Sequence, residues 1–396
     1  MRSYGEVLAF GQARQLMLAM VPVRFGYAMA GLTLVLLVRD RTGSFALAGL
    51  GLGIFSLAAG LLAPLRGHLV DTLGQTRPLL VYLPVFSLCF AALAAVDRPV
   101  PLLILCAVGG AASPPLLASS RALWRPIVGP DLVRTAYALD AIAMQAAQVL
   151  GPVAAAAVVV WAGPGAAVLV IAALVFVGGL LFLSLPASRA WTGDREAAGL
   201  MGAVRSEGIR TLLMVSAALG TATGAITVAL PAIAVQENWP LSGGVLLGAL
   251  AVGSVIGGTL AGLRSTHGPV RGLGRSILVL AVTLLVAAIP APWPVLALLL
   301  VLAGFGLGPS NVYLLELIDR LAPRGSAVTG FAAVVALEGA FVGLGAFLAG
   351  QAADADAAHI GLVVAGLSQV VAGLVVLVRR NRLQAPTKPQ QAGRNA

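Results

Sequence analysis

Apolar runs of about 20 residues, each nearly free of charge, succeed one another along almost the whole chain. That length is what an α-helix needs to cross a hydrocarbon layer about 30 Å thick. About twelve are discernible, over 16–38, 44–65, 78–96, 99–119, 136–161, 165–185, 209–235, 241–263, 276–291, 293–318, 327–350 and 359–378, the ninth being short. Lipid offers no partner to an open backbone, so helices are expected, and the sequence lacks the short alternating strands of a membrane barrel. With 59% hydrophobic and 10% charged residues and a mean hydropathy of +0.98, a water-soluble globule is excluded. The expected class is an all-α membrane protein.

Arg2 and Arg14 precede an apolar stretch, and Ala28-Met29-Ala30 has the look of a cleavage site. Arg24 interrupts that stretch and the apolar run continues to Val38, so it is read as an uncleaved first span. Cys89 and Cys106 both fall inside spans and read as small apolar filler, suggesting neither a metal site nor a disulfide.

Charge sets the orientation. If the N-terminus is placed in the cytoplasm, twelve crossings put 21 of the 25 basic residues in inner segments. Arg39, Arg41 and Arg98 lie outside, and Arg24 lies within the first span. Basic segments resist translocation, so both termini are expected to be cytoplasmic in the plasma membrane. Asp40, Asp97, Glu237, Asp354 and Asp356 mark the outer loops. The net charge of +10 then describes inner loops facing anionic lipid and calls for no nucleic-acid partner.

The chain also repeats itself. Ser44 to Leu65-Arg66 matches Ser242 to Leu263-Arg264 at an offset that also pairs Gly60 with Gly258, Gly74 with Gly272 and Arg77 with Arg275. A slightly shorter offset pairs Pro114 with Pro309, Arg121 with Glu316 and Arg125 with Arg320. The organisation expected is a six-helix bundle over 1–187, an inter-bundle loop over 188–208 and a second bundle over 209–378. A basic cytoplasmic tail, expected to be disordered, follows over 379–396. Parallel repeats of this kind put a substrate site at mid-depth between the halves.

After the second span the chain reads Gly67-His-Leu-Val-Asp71-Thr-Leu-Gly74-Gln-Thr-Arg77. This resembles the loop motif of the major facilitator superfamily, with Thr72 and Gln75 where basic residues are usual and Pro269 in place of the acid in the second-half copy. The resemblance implies two pseudo-symmetric six-helix bundles and a contact from Asp71 to the start of the eleventh span. Gly67 is expected to let the second helix pack closely against a neighbour.

Charged and amide groups at membrane depth need pairing or water. Arg24, Asp140, Gln145, Gln148, Asn311, Tyr313 and Glu338 are therefore expected to line a hydrated central cavity, with Glu338 carrying the coupling proton. The competing role is a packing pair such as Arg24 with Glu338. Thr221, Thr223 and Thr227 carry less weight, because helical threonines usually bond their own carbonyls. Arg121 and Glu316, at repeat-related span ends, suggest a cytoplasmic gate closed by ion pairing, the local pair of Glu316 with Arg320 being the rival. Gly151-Pro152 resembles the helix-bending pair of proton-coupled drug exporters in the superfamily, without their neighbouring glycines. Leu105 and Cys106 precede Gly109-Gly110, where such exporters carry an arginine.

The three histidines are scattered and show no metal spacing, and the sole lysine, Lys388, belongs to no phosphate-binding loop. An enzyme, a bound metal and a cofactor are not expected. The expectation is a monomeric, proton-driven secondary transporter exporting a small lipophilic or cationic compound by alternating access. Uptake of a small polar solute and a non-transporting sensor or scaffold remain the alternatives.

Overall fold

The computed structural model describes residues 4–191, 207–239, 242–263, 268–321 and 327–383, and among them there are helices but no strands. The long helices are α2 (Gly11–Thr42), α3 (Phe45–Leu73), α4 (Thr76–Leu93), α5 (Pro99–Ala111) and α6 (Leu116–Ser184) in the first half. The second half holds α8 (Glu207–Gln236), α9 (Ser242–Leu263), α10 (Pro269–Ala287), α11 (Trp293–Leu321), α12 (Ala327–Asp354) and α13 (Ile360–Val378). Three short helices, α1 (Tyr4–Ala9), α7 (Pro186–Ala190) and α14 (Arg380–Leu383), flank them.

Helix α6 is three legs joined at two corners. Gly129 and Gly163 carry left-handed φ of 75° and 84°, each followed by a proline that starts the next leg. The legs over 130–162 and 164–184 are the expected fifth and sixth spans. The fourth is built from α5 and the leg over 116–128, broken where Pro114-Pro115 withdraw two backbone donors. Twelve crossings result, arranged as two six-helix bundles.

Two expected boundaries are corrected. The ninth span begins at Pro269 and ends at Ala287, because Pro269 at the first helical position pre-sets the helix before the apolar run starts. The supposed loop motif is mostly helix: α3 continues to Leu73, Gly74 makes the turn with φ of 78°, and Arg77 already lies in α4.

Each half has its own apolar core. Leu16, Met20, Phe86, Phe90, Trp124 and Phe182 anchor the first, and Leu212, Leu230, Ile277, Leu300 and Leu362 the second. The second core also takes in Val35, Val38, Phe45, Ala48 and Leu52 from α2 and α3. That shared patch lies toward the end of the bundle holding Asp40, Asp97, Glu237 and Asp354, termed the acidic end; Arg77, Arg121, Arg271 and Arg320 mark the opposite, basic end.

At the acidic end the halves are stitched together. Asp354 of α12 accepts bonds from Ser44 Oγ (2.6 Å) and from the backbone N–H groups of Phe45 (2.6 Å) and Ala46 (3.1 Å), supplementing the cap that Ser44 gives Leu47 (3.1 Å). Gly53 and Gly343 are so close that a side-chain carbon on either would overlap the other helix. Arg41 pairs with Asp97, and Arg39 lies over the Phe45 ring at 5.4 Å, so these two basic side chains are engaged locally.

Candidate functional site

A cavity of about 450 Å³ lies between the halves at mid-depth. Its walls come from six helices: Tyr27, Ala28 and Gly31 of α2; Gln145, Gln148 and Pro152 of α6; Thr223 and Thr227 of α8; Ser254 of α9; Asn311 of α11; and Glu338 of α12. Leucines and small apolar residues fill the intervals. The volume suits a drug-sized or smaller ligand. Leu32 also borders a second, apolar space of about 360 Å³ at the acidic end, bounded by Val160, Pro231 and Trp239.

Packing explains why these side chains face inward. The Glu338 backbone lies where a side-chain carbon on Gly220 of α8 would fall, which fixes α12 against α8 at that level. Gly151 likewise admits Ala28 of α2, and Gly244 of α9 meets the Pro152 carbonyl. Thr223 and Thr227 bond the carbonyls of Leu219 and Thr223, so their methyls and remaining oxygen lone pairs are what the cavity meets. Among the described residues, Glu338 has no ion-pair partner.

About one helical turn toward the basic end lies a separate charge cluster. The Asp140 carboxylate accepts bonds from Arg24 Nη2, from Trp124 Nε1 at 3.2 Å and from Arg121 Nε at 3.5 Å. Arg24 and Asp140 are 3% and 4% exposed, whereas the Arg121 side chain is 60% exposed. Nε and Nη1 of Arg24 are buried without partners. One acid therefore serves two arginines.

A family model described as Major Facilitator Superfamily matches residues 16–348. The chain belongs to the Major Facilitator Superfamily. An uncharacterized MFS-type transporter, y4rN, of Sinorhizobium fredii (strain NBRC 101917 / NGR234) is 28% identical over 385 residues, covering 91% of this chain and 93% of that one. Among solved structures, the nucleoside transporter NupG superposes with a TM-score of 0.72 at 16% identity, covering 93% of this chain and 98% of that one. A bacterial homolog of the human lysosomal transporter Spinster, in an inward-facing and unoccupied conformation, gives 0.75 at 12% identity, covering 96% and 99%. As a superfamily member the chain is a multi-pass membrane transporter.

Within this transporter, four of the seven residues expected in the cavity line it: Gln145, Gln148, Asn311 and Glu338. Three lie elsewhere. Arg24 pairs with Asp140 below the cavity, so Arg24 does not pair with Glu338. Tyr313 turns away because Gly272 of α10 leaves room for its ring. Arg121 and Glu316 are apart: Arg121 shares Asp140, and Glu316 bonds Arg320 at 2.5 Å. The helix keeps helical dihedrals through Gly151-Pro152, and the sharp corners fall at Gly129 and Gly163 instead. Gly67 has open space around it, so it provides no close packing. The expected contact from Asp71 to the start of the eleventh span falls on side chains outside the described residues.

Two residues escaped the sequence reading. Arg66, counted there with the loop arginines, is buried; it donates to the carbonyls of Gly110 and Ala111 (2.8 Å each) and of Ala59 (2.6 Å). The Tyr27 hydroxyl donates to the Pro114 carbonyl at 2.6 Å. Both serve the break in the fourth span, where carbonyls released from helix bonding need donors. Pro114-Pro115 was the available signal.

Proposed function

We propose that this transporter exports a small lipophilic or cationic compound by alternating access, driven by protons, with the basic end in the cytoplasm. The observation that carries the reading is Glu338: a lone carboxylate from the second half facing the amides of Gln145 and Gln148 from the first. A carboxyl enclosed there holds a proton until a cation displaces it, and proton flow and substrate binding compete for one group. The placement of the inter-half contacts supports the cycle. Those of Asp354, Gly343 and Gly244 lie between the cavity and the acidic end, whereas Arg121 at the basic end is exposed. These contacts support a state open toward the basic end, from which rocking of the bundles would bring Arg121 and Glu316 together in the opposite state.

The test is reconstitution into vesicles with an imposed pH gradient and a panel of lipophilic cations. Wild-type protein should move a cation against the proton gradient, and Glu338→Gln should bind but not couple. Coupled transport at wild-type rate in that variant would remove Glu338 from the mechanism.

A second reading, uptake of a small polar solute, draws on Gln145, Gln148, Asn311, Thr223, Thr227 and Ser254, which give the cavity more hydrogen-bonding capacity than a lipophilic cation uses. Net accumulation of a neutral solute down the proton gradient, with no cation transport, would favour it.

A further inference from the structure

On the outer face of the second bundle, α10 and α13 leave a groove of about 560 Å³ between them. Neither helix lines the central cavity. Arg271 and Arg275 stand one turn apart on α10, and Arg380 closes the groove from α14. Among the described residues no acid borders it and none of the three arginines has an ion-pair partner. Below them the walls are apolar apart from the buried Gln369: Leu278, Leu374 and Leu377 are 62%, 54% and 65% exposed. Leu278 lies about 10 Å along the helix from Arg271. Two glycines keep the groove open. A side-chain carbon on Gly274 would meet only Val376, and one on Gly373 only Ile277, each at an ordinary 3.7 Å. At Gly53 and Gly343 such a carbon would strike the backbone of the other helix, so the room at Gly274 and Gly373 is not helix packing.

We propose that this groove binds an anionic phospholipid, its phosphate held by Arg271, Arg275 and Arg380 and its acyl chains lying along Leu278, Leu374 and Leu377. Guanidinium groups bind phosphate through charge-assisted bonds, and a basic pocket between helices at the membrane surface is suited to an acidic headgroup. The charge stands at one end of the groove and the apolar wall runs away from it, the order of headgroup and chains in a leaflet. This site is independent of the transport direction and of the coupling ion.

The experiment is native mass spectrometry of the full chain in detergent, titrated with phosphatidylglycerol and, separately, phosphatidylcholine of the same acyl chains. Wild-type protein should retain phosphatidylglycerol selectively. Arg271→Gln/Arg275→Gln/Arg380→Gln should lose that preference by roughly a hundredfold, at about fivefold per arginine. Gly274→Leu keeps all three charges but fills the groove, and should also lose the lipid. Arg380→Gln alone, on a four-residue helix, should cost about fivefold and guards against misfolding of the triple variant. Equal retention of the two lipids, undiminished retention in the triple variant or in Gly274→Leu, or displacement of the lipid by inorganic phosphate at equal concentration would overturn the proposal.

Discussion

In the first half of the molecule Asp140 is enclosed by Arg24, Arg121 and Trp124, whereas in the second half Glu338 faces the cavity with no cation bonded to it. Both acids sit at membrane depth, where an uncompensated charge is expensive. The first half resolves that expense internally, by pairing its buried acid with Arg24 and Arg121 in a cluster set apart from the cavity. The second half leaves its acid to water or to a substrate. The contrast separates an acid paired within a bundle from an acid left facing the cavity, the one proposed to couple transport, and substitution at each should fail differently.

The largest effect should follow from Asp140→Asn. It removes the carboxylate from two arginines, one of them buried with Nε and Nη1 already unpartnered. Breaking a buried pair on one side costs about 3–5 kcal/mol. The variant should melt well below wild type in detergent and express poorly. Adding Arg24→Gln, which removes the stranded charge, should recover most of the loss. A wild-type melting temperature in Asp140→Asn would mean that the cluster is not structural.

Glu338→Gln should do the reverse. With no partner to strand, its effect on stability should stay within about 0.5 kcal/mol. Proton-driven transport should disappear while ligand-induced stabilisation persists for neutral compounds. A large drop in melting temperature would place Glu338 in the same class as Asp140 and erase the contrast between the halves.

Much of this was legible from sequence because a membrane imposes few solutions. Span positions follow from length and hydropathy, and the repeat follows from Gly and Arg landmarks at fixed offsets. The cavity residues Gln145, Gln148, Asn311 and Glu338 were legible for the same reason: amides and an acid in oil need a wet face. What sequence could not supply was which polar groups satisfy one another. Arg24 could have met Glu338 or Asp140, and only the approach of α2 to α6, set by Gly151 against Ala28, decides it. The direction of Tyr313 is decided by Gly272, a residue of another helix that leaves space for the ring. Nothing in the sequence marks Gly272 for that role, since its repeat partner Gly74 makes a turn. Arg66 was misread because a basic residue near a span end usually snorkels to water, and here three carbonyls hold it inside.

Smaller effects probe the two ends of the molecule. Asp354→Ala removes three bonds that tie α12 to the start of α3 across the halves. The loss of such a cap costs about 1 kcal/mol. In the proposed cycle the contact belongs to the state closed at the acidic end, so that energy should appear as a shift in population by about fivefold rather than as unfolding. A cysteine placed at Val160, beside the space at that end, should react faster with a membrane-impermeant maleimide in Asp354→Ala than in the otherwise wild-type protein. Unchanged labelling would show that the apolar patch around Phe45 and Leu52 closes that end unaided.

A similarly small stability effect belongs to the basic end. Arg320 and Glu316 are one turn apart on α11, at 2.5 Å, and partly exposed, so Arg320→Gln should cost only about 0.3–0.5 kcal/mol. Its value lies in the contact it removes. If Glu316 exchanges between Arg320 here and Arg121 in the opposite state, removing Arg320 should favour closure at the basic end and change transport rate far more than stability. Arg121→Glu should slow the cycle, and Arg121→Glu with Glu316→Arg should restore part of it, because the pair is remade with its signs reversed. If the exchange restores nothing and Arg320→Gln leaves the rate untouched, Arg121 serves only Asp140. The closing contact at the basic end must then come from elsewhere.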